Sequence, residues 1–394
     1  MSIPSLLAAR EVVICCGAGG VGKTTMSAAI ALEAATHLGG RVLVLTVDPA
    51  RRLATAMGLD GGLGNAAVRV DTAALGGAAG SPARGELWAA MLDTKASWDD
   101  LVRRHAPDRE TADRILANPL YRNITETFVQ SHDYIAMERL YKLHSSGDWD
   151  LLVIDTPPSR HAIDFLDAPR RMADFFSSRF LRLLTAPARS RWATAASRPF
   201  YQVADRVLGS QFIEDIAEFF LLFQSMYDGF VDRARAVSTL LGDDRTTFVV
   251  VSTLEPVPVR EAEFFLDELA RRRLDLGAIV LNRVLPDWFD DAAADARAAS
   301  LEDTEPPEDD IEGRVLSGLA ANYVRLRLVA QREAEERRRL GGRADVVVPV
   351  PLLHTDVGDV DALARVGRAL WDSTGPLPAP AAERQRGGAE RSAK

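Results

Sequence analysis

Seven short apolar runs recur along the chain, at Val12–Cys16, Val42–Val47, Leu87–Leu92, Leu151–Ile154, Phe248–Ser252, Ala278–Leu281 and Val346–Val350. Several are continuous rather than alternating, as in strands covered on both faces. Strands separated by helical stretches predict an α/β fold with a mainly parallel sheet flanked by helices. Two stretches depart from that rhythm. A helical excursion covers about 95–142, and from Phe165 to Leu241 apolar side chains return every three or four residues (Met172, Phe175, Phe176, Phe180; then Ile213, Ile216, Phe220, Phe223). The second is too long for a single crossover. It predicts an inserted all-helical subdomain at 165–241 that divides the core into 1–164 and 242–375. An acidic loop with two prolines follows at 302–312, and the Pro-, Ala- and Gly-rich tail 376–394 is expected to stay disordered.

Composition narrows the class. The chain has 394 residues, 47% hydrophobic and 26% charged, which is ordinary for a folded globular protein. A net charge of −9 argues against a surface built for nucleic acid. The only two cysteines, Cys15 and Cys16, are adjacent, so no disulfide framework is available and a reducing compartment fits. No secretory signal is read in Met1–Ile14, and no apolar run approaches the ~20 residues of a spanning helix. A cytoplasmic protein is expected, with peripheral contact at the inner face of a membrane left open.

The chemistry concentrates at three strand ends. Gly17-Ala18-Gly19-Gly20-Val21-Gly22-Lys23-Thr24 fits G-x-x-x-x-G-K-[ST] between a strand and a helix. In such a loop the glycines let backbone N–H groups curl around phosphate oxygens, Lys23 supplies a cation to the β- and γ-phosphates, and the Thr24 hydroxyl ligates Mg²⁺. Gly17, Gly19, Gly20, Val21, Gly22, Lys23, Thr24 and the following Thr25 form the candidate nucleotide cradle. Asp155 stands where the fourth strand stops, a Walker-B-like position for the outer shell of the metal, or else a helix cap. Asp48 ends the second strand and is the candidate that positions the attacking water; its alternative is an N-cap before Pro49. Carboxyl ends of parallel strands share one sheet edge, so these groups should converge.

Together these segments resemble the arsenite-transport and tail-anchored-protein-targeting ATPase family of deviant Walker A P-loop NTPases, related to MinD and ParA. The family's K-G-G-V-G-K-T is matched by Ala18 to Thr24, its D-P-A first switch by Asp48-Pro49-Ala50, and its D-T-A-P-T-G-H second switch by Asp155 to His161. The resemblance implies ATP and Mg²⁺ as cofactors and a dimer, of self or of a paralogous subunit, that opens and closes with nucleotide. It further implies adenine recognition by Asn282 and a base wall at Pro351, Leu352 and Leu353. The Asn282 position also reads as a strand end entering a turn.

Three departures qualify the resemblance. Ala18 stands where the family places a signature lysine; hydrolysis is then slow, or a partner supplies the cation, or Arg160 in the second switch substitutes. No cysteine cluster for arsenite is evident, because alternation along a strand sends Cys15 and Cys16 to opposite faces. The nucleotide motif occurs once rather than in tandem, so the second half of the site must come from another subunit. Within the helical insert, 170–198 carries seven arginines and one acid among aromatics. That pattern suits a membrane protein, a hydrophobic client or an anion-transporter partner bound through 165–241, or simply a solvated helical cap. The expected activity is an ATP-driven switch, with a low-turnover nucleotide-binding scaffold and a small-molecule kinase as rival readings.

Overall fold

A computed structural model describes residues 2–47, 52–59, 63–72, 83–121, 129–157, 167, 171, 174, 219, 227–302, 306–307, 310–354 and 357–372. All seven apolar runs are strands of one sheet: β1 (Val12–Cys16), β2 (Arg41–Thr46), then, after a two-residue strand β3 (Val68–Arg69), β4 (Glu86–Met91), β5 (Leu151–Asp155), β6 (Thr246–Ser252), β7 (Leu276–Val284) and β8 (Val347–Pro351). The order is β3-β4-β2-β5-β1-β6-β7-β8. Every neighbouring pair is parallel except β3 with β4, which is antiparallel at one edge. β8 tolerates Pro349 and Pro351 because it forms the opposite edge, where a missing N–H goes unmissed.

The helices are α1 (Ile3–Ala8), α2 (Lys23–His37), α3 (Arg52–Ala56), α4 (Thr94–His105), α5 (Arg109–Ala117), α6 (Val129–Ser145), α7 (Tyr227–Leu241), α8 (Pro256–Arg272), α9 (Ala292–Glu302), α10 (Ile311–Gly341) and α11 (Val360–Asp372). Alternation along β1 explains why its run is apolar throughout. Val12, Ile14 and Cys16 face a core made with Trp98 and Leu101 of α4, Met137 and Leu140 of α6, and Phe265 of α8. Val13 and Cys15 face the opposite core, with Ile30 and Ala34 of α2, Leu6 of α1 and Leu363 of α11. Each fully buried aliphatic or aromatic side chain contributes about 1.5–3 kcal/mol, so neither layer is dispensable.

The predicted excursion at 95–142 contains α4, α5 and α6. Asp93 starts α4 by accepting the Ala96 N–H at 2.9 Å, and Asp108 starts α5 by accepting that of Thr111 at 2.7 Å. A buried ion pair, Arg233 Nε to Glu138 Oε2 at 3.0 Å, ties α6 to α7. Of the segment predicted as a helical insert, α7 and four single residues are described. The remainder, most of the basic stretch 170–198 included, lies outside the described residues, as does the tail 376–394. Among the described residues, no helix is long and apolar enough to cross a membrane.

The sheet order fixes where a ligand site belongs. From β1 the chain builds β2 to β5 on one side and β6 to β8 on the other. A parallel sheet that reverses direction in this way leaves a crevice beyond the carboxyl ends of its central strands. The segment Gly17–Gly22 occupies that crevice, directly between β1 and α2.

Candidate nucleotide site

The loop after β1 takes a course that only glycine follows cheaply. Gly20 and Gly22 have φ of +81° and +93°, in the left-handed region, and Gly17 has +149°. Gly22 caps α2 without any side-chain hydrogen bond, and the first turn of that helix, where Thr24 and Thr25 lie, holds no acid. The N-terminal N–H groups and the positive end of the helix dipole are therefore left facing the loop, a cradle suited to phosphate. Lys23 is buried, with its ammonium donating to the Ala18 carbonyl at 2.8 Å, so the cation spans the loop.

Asp155 lies beneath this cradle. β5 sits between β2 and β1, in a register that places Thr46, Asp155 and Cys15 side by side. The Asp155 Oδ2 accepts from the Thr24 hydroxyl at 2.7 Å and from the Thr46 hydroxyl at 2.9 Å. The predicted convergence of Thr24 and Asp155 is thus present, and Thr46 joins them. Thr46 carried no motif; its signal lay in sharing a row with Asp155, which needs the strand order. Thr156, next along, donates to the Cys15 carbonyl at 2.8 Å and locks the strand end. Oxygen donors grouped on one carboxylate suit a hard divalent cation such as Mg²⁺.

Asp48 follows this row but lies outside the described residues, as do Arg51, Arg160 and His161. Val47, immediately before Asp48, donates its N–H to the Asp155 carbonyl at 3.0 Å.

Asn282 lies inside β7, not after it. Its Nδ2 donates to the Val21 carbonyl at 2.8 Å, and its Oδ1 accepts the Arg283 N–H at 2.9 Å. Pro351 ends β8, and Leu352, half exposed, donates its N–H to Val284 at 2.9 Å. Asn282, the phosphate loop and the 351–353 segment are therefore neighbours along one edge.

The profile of the anion-transporting ATPase family matches residues 10–303. The chain belongs to that family. Its members are ATPases, and this chain is one, a nucleotide user by descent. It is similar to ATPase GET3 of Malassezia globosa, with 25% identity over 273 residues, 69% of this chain and 72% of the relative. It is likewise similar to ATPase GET3 of Rhodotorula glutinis, with 23% identity over 350 residues, 89% and 84% of the two chains. ATPase get3 of Aspergillus terreus is 26% identical over 276 residues, 68% and 72%.

Two departures from the family pattern take physical form. Ala18 is 6% exposed and packs with Val21 into the α2-side core, so position 18 presents a methyl group and no charge. Cys15 and Cys16 pack on opposite faces of β1, 0% and 3% exposed. Burial pushes the Cys15 thiol up to about 12 and that of Cys16 further in the same direction. These are core thiols, and two side chains that diverge through the sheet cannot clasp one soft ion.

Proposed function

We propose that this ATPase is a Mg²⁺-dependent switch in which nucleotide state controls the binding of a hydrophobic client or membrane component, as a dimer with itself or with a paralogous subunit. The observation that carries the reading is the Thr24–Asp155–Thr46 cluster directly under an acid-free helix N-terminus. Phosphate oxygens would take the loop N–H groups and Lys23, while Thr24 and Asp155 would hold the metal. When bound, Mg²⁺ offsets charge on the β- and γ-phosphate oxygens. Asp48 orients water at the end of β2, and Asn282 and the 351–353 segment flank the base. With a methyl group at position 18, this chain brings no cation of its own from that position; turnover is slow unless a partner subunit or Arg160 supplies one.

The client assignment rests on the relatives named ATPase GET3 and on the basic, aromatic stretch within 165–241. Two measurements test the whole. Phosphate release from ATP should require Mg²⁺ and be lost in Asp48→Asn. Capture of a partner from lysate should differ between a non-hydrolysable ATP analogue and ADP, since coupling needs unequal affinity for the two states. Phosphate release that ignores magnesium, or partners captured equally in both states, would refute the switch.

A further inference from the structure

Asn282 continues the alternation of β7 on the face of Ala278 and Val280, the face that meets the phosphate loop, and an irregularity of the strand adjoins it. Along β7 and β8 the register runs Ile279 with Val347, Val280 with Val348 and Leu281 with Pro349, then resumes at Val284 with Pro351. Three steps on β7 thus span two on β8, a bulge of one residue that returns Val284 to the face of Ile279 and Leu281. Arg283 sits in it at φ +58°, a conformation that costs a residue with a Cβ free energy and persists only where its surroundings enforce it.

Beside the bulge stands the Asn282 carboxamide. Asn282 is 8% exposed, and its two hydrogen bonds join the strained Arg283 N–H to the Val21 carbonyl, 261 positions earlier. The approach is close enough to demand glycine beside it, since a Cβ on Gly22 would stand 2.5 Å from Asn282 Nδ2. Gly22 is in turn the cap of α2. A carboxamide has two N–H donors and two acceptor sites, so one of each remains for a base edge after these bonds are made.

We propose that Asn282 is a positioning residue for the phosphate loop: by holding Val21 and packing against Gly22 it sets the affinity for the polyphosphate itself, whatever base is attached. The proposal rests on the reading that this loop holds a nucleoside triphosphate, and it gives Asn282 a task separate from recognition of adenine.

The test compares two ligands on the full-length protein, Mg·ATP and Mg·tripolyphosphate, which has the phosphates and no base. Calorimetric titration is run on wild type, Asn282→Ala and Asn282→Asp, well below the melting temperature of each. Leaving the Val21 carbonyl without its donor should weaken both ligands by a similar factor of about tenfold. Asn282→Asp keeps the shape but replaces the donor with an oxygen, so it should weaken both at least as much while staying folded. Loss confined to ATP, with tripolyphosphate unchanged, would make Asn282 a base contact only and overturn the proposal, as would unchanged affinity for both. Wild type that binds neither ligand would instead overturn the nucleotide reading beneath it.

Discussion

Gly17→Ala measures how firmly the phosphate loop is pinned to the sheet. A Cβ at position 17 would fall well inside van der Waals contact of the Val251 carbonyl oxygen, with the carbonyl carbon at 3.1 Å and Val21 Cγ2 at 3.5 Å. Val251 is fully buried in β6 and paired with Val280 of β7, so the obstacle is sheet backbone and cannot rotate away. Gly20 provides the control, because its φ of +81° is equally unfavourable for alanine while nothing lies within 4 Å of the added carbon. Gly20→Ala should therefore cost backbone strain alone, about 1–2 kcal/mol. Gly17→Ala adds overpacking of about 1–3 kcal/mol. Urea unfolding of the unliganded protein reads this difference without interference from any ligand, and calorimetry with Mg·ATP should then show Gly17→Ala binding the more weakly. Equal unfolding free energies for the two variants would mean that β6 does not constrain the loop.

Three further outcomes follow from the same geometry. Asp155→Asn retains an oxygen for the Thr24 and Thr46 hydroxyls but removes the charge, so the Mg²⁺ midpoint for ATP hydrolysis should rise by about tenfold or more; an unchanged midpoint would exclude Asp155 from the metal shell. Glu33 of α2 is buried against α11, 3.0 Å from His37, and burial lifts its carboxyl from 4.5 to about 7, opposed by Arg368 and reinforced by Asp372. The folded protein then keeps a proton that the unfolded chain releases, so stability should fall as pH rises from about 4.5 to about 7. Glu33→Gln should flatten that slope and gain about 1–3 kcal/mol near pH 8 in urea titrations, whereas parallel pH profiles would contradict the burial argument. Arg233→Met strands the Glu138 carboxylate, 4% exposed, and should destabilise by about 3–5 kcal/mol, with more than half recovered by adding Glu138→Gln; no recovery would show that packing rather than charge holds α6 to α7.

How much of this was legible in the chain depends on how local each feature is. The phosphate loop, its lysine and its threonine lie within eight consecutive residues, and their flanks declare a strand and a helix, so the cradle could be read directly. The strands were equally plain, because β1, β5 and β6 are buried on both faces and each keeps at least four consecutive apolar residues. α1 and β3 escaped notice for the opposite reason: a six-residue helix and a two-residue edge pair have too few positions to establish a period. Asp155 was found by its place at a strand end, but its second donor, Thr46, emerges only from the order β2-β5-β1, which apolar runs do not encode.

Asn282 is the sharpest case. Residue type and position after an apolar run supported a turn, the family resemblance implied a base contact, and both readings assumed that β7 ended at Leu281. The strand instead continues to Val284 through one extra residue, and the carboxamide meets the Val21 carbonyl from the strand face of Ala278 and Val280. A bulge shifts the phase of the alternation, and in a strand apolar on both faces such as β7 that shift leaves no mark in the hydrophobic pattern. The physical trace is the left-handed backbone at Arg283, in a residue type that gains nothing from it locally. Strain of that kind persists only where its surroundings hold it, and here the Asn282 Oδ1 takes the Arg283 N–H while its Nδ2 ties the strand to the loop between β1 and α2.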